Sequence, residues 1–400
     1  MTRPGAKTPF VAIACGGTGG HLFPGLAVAE QLTQRECAVT LLVSPKEVDK
    51  QAVKFAHGVD IVTLPAVGLQ NRNYLSFARN FWQSWRVARK YFKSRPPQAV
   101  LAMGGFTSAP PVLAAKKSGA RTFLHESNTI PGRANRFLAR FVDEAFVGFS
   151  GTASRLHVPP GGITHTGTPV RPQFSAGRGS IEPKLQQCRL ALELDPNRPT
   201  ILVMGGSQGA SGINEIILAA LPLFADRVSS WQWLHLTGAG HFEKVKQAYA
   251  KYGLKAVVQP FLAEMDLALG AATAAVSRAG ASSLAEIAAT QLPSLLVPFP
   301  AAADNHQYHN ARAFETTGAA RLLEQKSATP EKVAAILREL AGNEPARVAM
   351  QTALAHWHAP QAAEQIASHI LKAIGERFTF VPQGGEKVDP RGGMNLRVVA

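Results

Sequence analysis

Short, uninterrupted apolar runs alternate along this chain with longer stretches in which apolar residues recur every three or four positions. Phe10–Ala14, Val39–Val43, Ile61–Leu64, Ala99–Leu101, Thr122–Leu124 and Glu144–Val147 are runs of the first kind. Continuous apolar character, rather than strict alternation, marks strands covered on both faces, as in a parallel sheet. Leu22–Gln34 and Arg133–Arg140 carry the helical period between them, which gives a βαβ order. A turn-rich region follows, with Pro159-Pro160-Gly161-Gly162 and Gly167-Thr168-Pro169. The polar stretch up to Pro199 reads as a linker with one helix. The pattern then restarts with Thr200–Met204, Trp231–Leu236, Ala256–Gln259, Thr273–Val276 and Ser294–Pro298, and a late helix over Gln361–Ile374.

The restart organises the chain. Val11–Ala14 runs into Gly16-Gly17-Thr18-Gly19-Gly20 and then a helix; Ile201–Met204 runs into Gly205-Gly206-Ser207-Gln208-Gly209 and then a helix. The sequence thus predicts an α/β protein of two Rossmann-like parallel-sheet domains. Each has a glycine turn at the carboxyl edge of its first strand, where such sheets bind ligands, and the two edges face one cleft. The expected boundaries are 1–170 and 171–358, a helix over 359–376, and a mobile tail over 377–400 with glycine pairs and no core residues.

Composition narrows the class. Of 400 residues, 46% are hydrophobic and 17% charged, which excludes a wholly disordered chain. Three scattered cysteines, Cys15, Cys37 and Cys188, form neither a disulfide framework nor a zinc motif and fit a reducing compartment. The net charge of +15 is lopsided: residues 1–170 hold 20 basic and 8 acidic residues. The first half therefore faces a polyanion, whether a membrane surface, a nucleic acid or a phosphorylated substrate. No run reaches the ~18 apolar residues of a membrane span, and Phe10–Ala14 is too short for a signal-peptide core, so a cytoplasmic protein is expected.

Candidate chemistry gathers at strand ends. Glycines at 16, 17, 19 and 20 let backbone N–H groups approach a phosphate or sugar, with a helix N-terminus behind them. A dinucleotide site would need an acid at the end of the next strand; that strand ends Leu42-Val43-Ser44-Pro45. His21 is either a polar residue opening a helix or a general base. Met103-Gly104-Gly105 is a further turn. In His125-Glu126-Ser127-Asn128, the acid and amide serve either as helix caps or as ligands for sugar hydroxyls. Ser277 to Glu286 combines a strand end, small residues and a helix start, an anion site in form. Glu286 either sits favourably in the first helical turn or accepts a ribose diol. Asp304-Asn305-His306-Gln307 follows the next strand.

Segment 72–95 holds seven basic residues and no acid. At ~100° per residue, Tyr74, Leu75, Ala78, Phe81, Trp82, Trp85, Ala88 and Phe92 share a stripe beside Arg72, Arg79, Arg86, Lys90 and Lys93. Part of it is expected to pack, and part, with Arg89, to meet anionic lipid. Asp-x-Asp, His-Glu-x-x-His and Walker A motifs are missing from the sequence, so a metal-ion mechanism has no sequence support.

In this order, Gly16 to Ala27, Met103 to Gly105, His125 to Asn128, Gly167-Thr168-Pro169-Val170-Arg171, Gly205 to Ala210 and Arg278 to Glu286 with Gln307 resemble the MurG family. Its members are the undecaprenyl-pyrophosphoryl-muramoyl-pentapeptide N-acetylglucosaminyltransferases of peptidoglycan synthesis. The resemblance spans about residues 10 to 375 and implies a GT-B fold whose last helix crosses back to the first domain. It also implies UDP-N-acetylglucosamine as donor, the membrane-bound muramoyl lipid as acceptor, and neither nucleic acid nor cofactor. By matching position, the Leu262 backbone meets uracil and Glu286 the ribose; Ser207, Arg171 and the amides of Ala281, Ser282 and Ser283 serve the diphosphate. Gln307 and Asn128 hold the sugar, and Thr18, Gly19 and Gly20 line the acceptor side. His21 is the favoured base for an inverting transfer, with Glu126 second. The family also places a membrane patch in the first domain, which fits Leu75, Arg79, Phe81, Trp82, Trp85, Arg86 and Arg89, and a peripheral position on the cytoplasmic face of the inner membrane. Where members often have Tyr after the second glycine pair this chain has Phe106, which carries no hydroxyl, and a Gln-Gln pair is here His306-Gln307. Competing readings are another GT-B glycolipid transferase, a nucleotide-sugar epimerase, or a basic module without enzymatic activity.

Overall fold

The computed structural model describes residues 8–46, 58–66, 73–159, 162–175, 182–205, 211–227 and 230–378. The first lobe is a seven-stranded parallel sheet in the order β3-β2-β1-β4-β5-β6-β7. Its strands are β1 (Phe10–Ala14), β2 (Ala38–Val43), β3 (Asp60–Thr63), β4 (Ala99–Ala102), β5 (Arg121–Glu126), β6 (Glu144–Val147) and β7 (Ile163–His165). Helices α1 (Gly19–Thr33), α2 (Tyr74–Ser94), α3 (Ala109–Lys117) and α4 (Arg133–Leu138) cover it. Every residue of β1 is buried, and its side chains alternate between two cores. Phe10, Ala12 and Ala14 join the core beneath α2 and α3; Val11 and Ile13 join the one beneath α1. Two-sided burial explains why the strand reads as an unbroken apolar run. The edge strand β3 is mostly exposed.

Short α5 (Pro172–Ser175) and then α6 (Glu182–Ala191) lead into the second lobe, a six-stranded parallel sheet. Its order is β10-β9-β8-β11-β12-β13, from β8 (Thr200–Met204), β9 (Gln232–Leu236), β10 (Ala256–Gln259), β11 (Ala274–Ser277), β12 (Ser294–Leu296) and β13 (Arg321–Leu322). Around it lie α7 (Ser211–Ala220), α8 (Phe242–Lys251), α9 (Met265–Ala271), α10 (Ala281–Ala289), α11 (His306–Thr316), α12 (Pro330–Gly342) and α13 (Glu344–Ala355). The last helix, α14 (Ala362–Phe378), returns to the first lobe and buries Ile366, Ala367, Ile370 and Ile374 in the core that holds Val11 and Ile13.

Strand order reverses between β1 and β4 in the first sheet and between β8 and β11 in the second. At such switch points the connections leave in opposite directions and open a crevice at the carboxyl edge. The glycine turns after β1 and β4 and the turn after β11 lie at these crevices.

The stretch read only as turns contains β7, whose Ile-Thr-His side chains are too polar and too few to mark a strand, yet it pairs with β6. The last helix extends to Phe378, two residues into the expected tail; residues 379–400 lie outside the described residues, as do Ser207 and the glycine turn around it.

Candidate active site in the interlobe cleft

On the first lobe, β1 ends in buried Gly16-Gly17, and Thr18 opens α1 in an extended conformation. Thr18 and Gly20 stand exposed at the helix tip. His21, in the first turn, lies against the turn after β4. A methyl group on Gly104 would fall 2.9 Å from His21 Cε1, and one on Gly105 3.1 Å from Cδ2. Both glycines have positive φ, +105° and +77°, a region open to glycine and strained for other residues. The second glycine pair therefore forms the seat of the His21 imidazole. Thr107 Oγ1 donates to Gly16 O at 2.6 Å and Ser108 Oγ lies 3.2 Å from Ala14 O, fixing the turn after β4 to the end of β1; Ser108 Oγ also closes its own turn on Gly104 O at 2.6 Å. Phe106 packs its ring against Gly17 and beneath Lys46 Nζ, 5.1 Å from the ring centre.

The loop after β5 is built around a buried acid. Glu126 is 2% exposed. Its Oε1 accepts from the Asn128 backbone N–H (2.8 Å) and side-chain Nδ2 (3.0 Å); its Oε2 accepts from the Gly132 N–H and Asn135 Nδ2, both 2.9 Å. A carboxylate with four donors is a fixed strut, and its lone pairs are committed. Next to it, His125 is wholly buried, with Nε2 3.0 Å from Gly167 O and Nδ1 3.2 Å from Ser127 Oγ. Burial holds its pKa down, although the Gly167 carbonyl and Glu126 pull the other way, and nearby His21 adds to the depression.

On the second lobe, β11 leads through Ser277 to Gly280, the N-cap of α10, so that Ala281, Ser282 and Ser283 supply the first free amides. Small side chains leave those amides open to an anion, which the positive helix end favours. This tip meets the tip of α1. Pro24 lies inside α1 and has no N–H to offer the Gly20 carbonyl four residues earlier; Ser282 Oγ donates to that carbonyl at 3.0 Å from the other lobe.

Glu286, one turn into α10, pairs with Arg171 on the linker, Nη2 to Oε1 3.3 Å, and both are largely enclosed. Burial pushes the Glu286 carboxyl up, while Arg171 pulls it down. The Arg171 guanidinium also lies 4.6 Å from the Phe23 ring centre, on α1. Leu262 follows β10 at the same carboxyl edge and is half-buried. Gln307 begins α11 and accepts the Phe299 N–H at 2.9 Å through Oε1. Asp304 and Asn305 both take left-handed φ, 50° and 52°, which presents Asp304 to Arg133 and Arg136 of α4 across the cleft.

The fold thus brings Thr18, Gly19, Gly20, His21, Glu126, Asn128, Arg171, Ala281, Ser282, Ser283, Glu286 and Gln307 to facing carboxyl edges of two sheets. Sequence reasoning passed over Asn310, which is wholly buried and bonds to both lobes. It sits one turn beyond Gln307, and a helical projection of α11 would have placed the two together. The seven residues expected at a membrane lie on or beside one face of α2. Leu75 is 86% exposed and Trp82 54%, whereas Phe81 and Trp85 pack partly against the core and Ala88 and Phe92 are buried. Arg86 stacks on Trp82 at 4.6 Å and Arg89 on Trp85 at 5.1 Å.

Two parallel-sheet lobes meeting through a linker and a returning C-terminal helix, with helix tips and glycine turns facing across a cleft, define the GT-B fold. Residues 11–147 match the glycosyltransferase family 28 N-terminal domain and residues 200–366 its C-terminal domain. A protein of Anaeromyxobacter dehalogenans, named UDP-N-acetylglucosamine–N-acetylmuramyl-(pentapeptide) pyrophosphoryl-undecaprenol N-acetylglucosamine transferase, is 35% identical over 375 residues, 92% of this chain and 93% of its own. The Synechocystis protein of that name is 37% identical over 324 residues, 80% and 85% of the two chains. The crystal structure of Acinetobacter baumannii MurG superposes with a TM-score of 0.70 at 27% identity, covering 91% of this chain and 99% of that one. A UDP-N-acetylglucosamine 2-epimerase, at 14% identity and a TM-score of 0.65, shares the fold alone. This chain belongs to the MurG family of family 28 glycosyltransferases.

Proposed function

We propose that the C4 hydroxyl of the muramoyl residue of undecaprenyl-pyrophosphoryl-MurNAc-pentapeptide attacks the anomeric carbon of UDP-N-acetylglucosamine in this cleft. The chain is a UDP-N-acetylglucosamine-dependent transferase of peptidoglycan synthesis and forms the disaccharide lipid. The observation that carries the site assignment is the meeting of the α1 and α10 tips, through Ser282 and the Gly20 carbonyl freed by Pro24. It sets an acceptor-side turn against an anion-binding helix end.

The roles follow from chemistry. Amides of Ala281, Ser282 and Ser283, with the α10 dipole, stabilise the negative charge that develops on the departing diphosphate; Ser207 and Arg171 assist there. Glu286 accepts the ribose hydroxyls, so nucleotide binding exchanges its ion pair with Arg171 for substrate contacts. The Leu262 backbone meets uracil, and Gln307 and Asn128 hold the sugar. Thr18, Gly19 and Gly20 line the acceptor pocket. His21, at the mouth of that pocket, removes the hydroxyl proton. Glu126, first ranked as the second candidate base, is assigned instead to holding the Asn128 loop, because its oxygens already serve four donors. Attack from the face opposite UDP inverts the anomeric centre.

The acceptor is membrane-bound, and no helix among the described residues is long and apolar enough to cross a membrane. We assign the exposed half of α2, with Leu75, Trp82 and flanking Arg79, Arg86 and Arg89, to contact with anionic phospholipid. Phe81 and Trp85 anchor the helix beneath it. On this reading the enzyme is peripheral and works at the cytoplasmic membrane face.

The test combines donor, acceptor and variant. UDP at 100 Kd should add about 2.7 kcal/mol to stability, and NAD should add none. N-acetylglucosamine should move only when the lipid acceptor is present; conversion of UDP-N-acetylglucosamine without acceptor would establish an epimerase instead. His21→Ala should lower kcat about 10²- to 10⁴-fold with UDP binding retained. A kcat near wild type would remove His21 as the base.

A further inference from the structure

Asn310 is wholly buried on α11, one turn beyond Gln307, and its amide is fully used. Oδ1 accepts from the Thr129 N–H and the Thr129 hydroxyl, each at 2.9 Å. Nδ2 donates to Asn128 Oδ1 at 3.0 Å and to Ala279 O at 3.2 Å. A primary amide offers two donor hydrogens and two acceptor lone pairs, so all four are engaged. The orientation of the amide is determined as well, because a flip would set its NH₂ group against the Thr129 N–H.

The partners come from two lobes and from both ends of the proposed donor site. Thr129 and Asn128 belong to the loop after β5. Ala279 immediately precedes Gly280, the cap of α10. The network continues from Asn128 to Glu126 Oε1, and from Glu126 Oε2 to Gly132 and Asn135. A single hydrogen-bonded chain therefore runs from the diphosphate-side helix cap to the strut of the sugar-side loop, and Asn310 is its crossing point between lobes. By contrast, Asp304 joins Arg133 and Arg136 at the rim, where solvent reaches the charges and such pairs hold geometry weakly. A buried amide whose donors and acceptors are all engaged, as those of Asn310 are, fixes geometry.

We propose that Asn310 is a positioning residue for glycosyl transfer: it sets the separation between Asn128 on the acceptor lobe and the α10 tip on the donor lobe. The inference rests on the transferase reading above. Since misplacement of about 1 Å can lower a rate about 10²-fold, loss of this crossing point should act on turnover. Uracil, ribose and diphosphate are assigned mainly to the second lobe, so nucleotide affinity should be largely spared.

The test is steady-state transfer kinetics with UDP affinity measured in parallel by calorimetry. Asn310→Ala should lower kcat about 10- to 100-fold while the Kd for UDP stays within about twofold. Asn310→Asp keeps the acceptor for Thr129 but turns an oxygen toward Asn128 Oδ1 and Ala279 O, and should lower kcat at least as far. Thr129→Val, on the opposite lobe, should give a smaller loss of kcat that is not additive with Asn310→Ala. A kcat within about threefold of wild type in Asn310→Ala overturns the proposal. So does a loss of UDP affinity in step with kcat, since that marks a residue which merely supports the second lobe. If Asn310→Ala does not fold, Thr129→Val decides the matter: reduced kcat with unchanged UDP affinity sustains the coupling, and unchanged kcat removes it. Wild-type enzyme that neither binds UDP nor transfers the sugar would defeat the transferase reading itself, a result separate from any of these.

Discussion

Pro24 and Ser282 show how single residues act across the molecule. A proline inside a helix frees one carbonyl, and a serine from the other lobe occupies it. Neither side chain signals this contact in the sequence, where Pro24 looks like a helix breaker and Ser282 like a small residue near a cap. The glycines were legible, because turns after buried strands need them, but the reason for Gly104 and Gly105 was not: they make room for His21. Buried polar networks were likewise hidden. His235 on β9 sets Nδ1 3.1 Å from Tyr249 OH and Nε2 3.0 Å from Asn214 Oδ1, and burial lowers its pKa from 6.5 to about 3. Between these values the unfolded chain takes up a proton that the folded chain refuses. Stability should therefore fall as pH drops from about 6.5 toward 3, by up to about 1.4 kcal/mol per pH unit for this residue. Urea midpoints recorded from pH 7 to pH 4 should decline more steeply for wild type than for His235→Gln. Equal slopes would show that His235 is not the titrating group.

At the scale of elements, β1, β6, β8 and β10 emerged with the boundaries their apolar runs predicted; β1, β6 and β8 lie inside their sheets, where strands covered on both faces have little room for polar residues. β7 and β13 escaped notice: they are short edge strands whose stability comes from pairing to β6 and β12 rather than from composition. The late helix was legible as a helix, while its docking site was not, since a 3.6-residue period names a face without naming what covers it. Ile366, Ile370 and Ile374, spaced at four residues, fill the core that contains Val11 and Ile13. Ile370→Ala should destabilise the protein by about 2–5 kcal/mol through the cavity it leaves. The loss should appear as a lowered denaturation midpoint in the transition that reports on the first lobe, followed through Trp82 and Trp85 fluorescence. A change below about 1 kcal/mol would mean that α14 is dispensable to that core.

For the whole molecule, charge and exposed apolar surface coincide. The first half carries most of the net positive charge, and α2 leaves Tyr74, Leu75 and Trp82 in solvent beside Arg79 and Arg86. Aromatic and aliphatic side chains among cations suit the headgroup region of an anionic bilayer. The double substitution Leu75→Asn with Trp82→Ala should weaken binding to phosphatidylglycerol vesicles about 10²- to 10⁴-fold, given roughly 1.5–3 kcal/mol for each buried apolar side chain. Binding of the wild type should also weaken from 0.1 to 0.5 M salt as screening increases. Unaltered vesicle affinity in the double variant would exclude α2 as the contact.

Hydrophobic periodicity alone sufficed to place two successive parallel-sheet units and the turns at their strand ends, because burial on both faces of a strand leaves a mark in neighbouring positions. Contacts between distant parts of the chain left no such mark. Asn310 with Thr129 and Asn128, Arg171 with Glu286, Ser282 with Gly20, and the division of α2 into packed and exposed halves depend on residues far apart in the chain and brought together by folding. A local pattern records what surrounds a segment on average; which particular atoms meet is a property of the assembled lobes, and the cleft is made of those meetings.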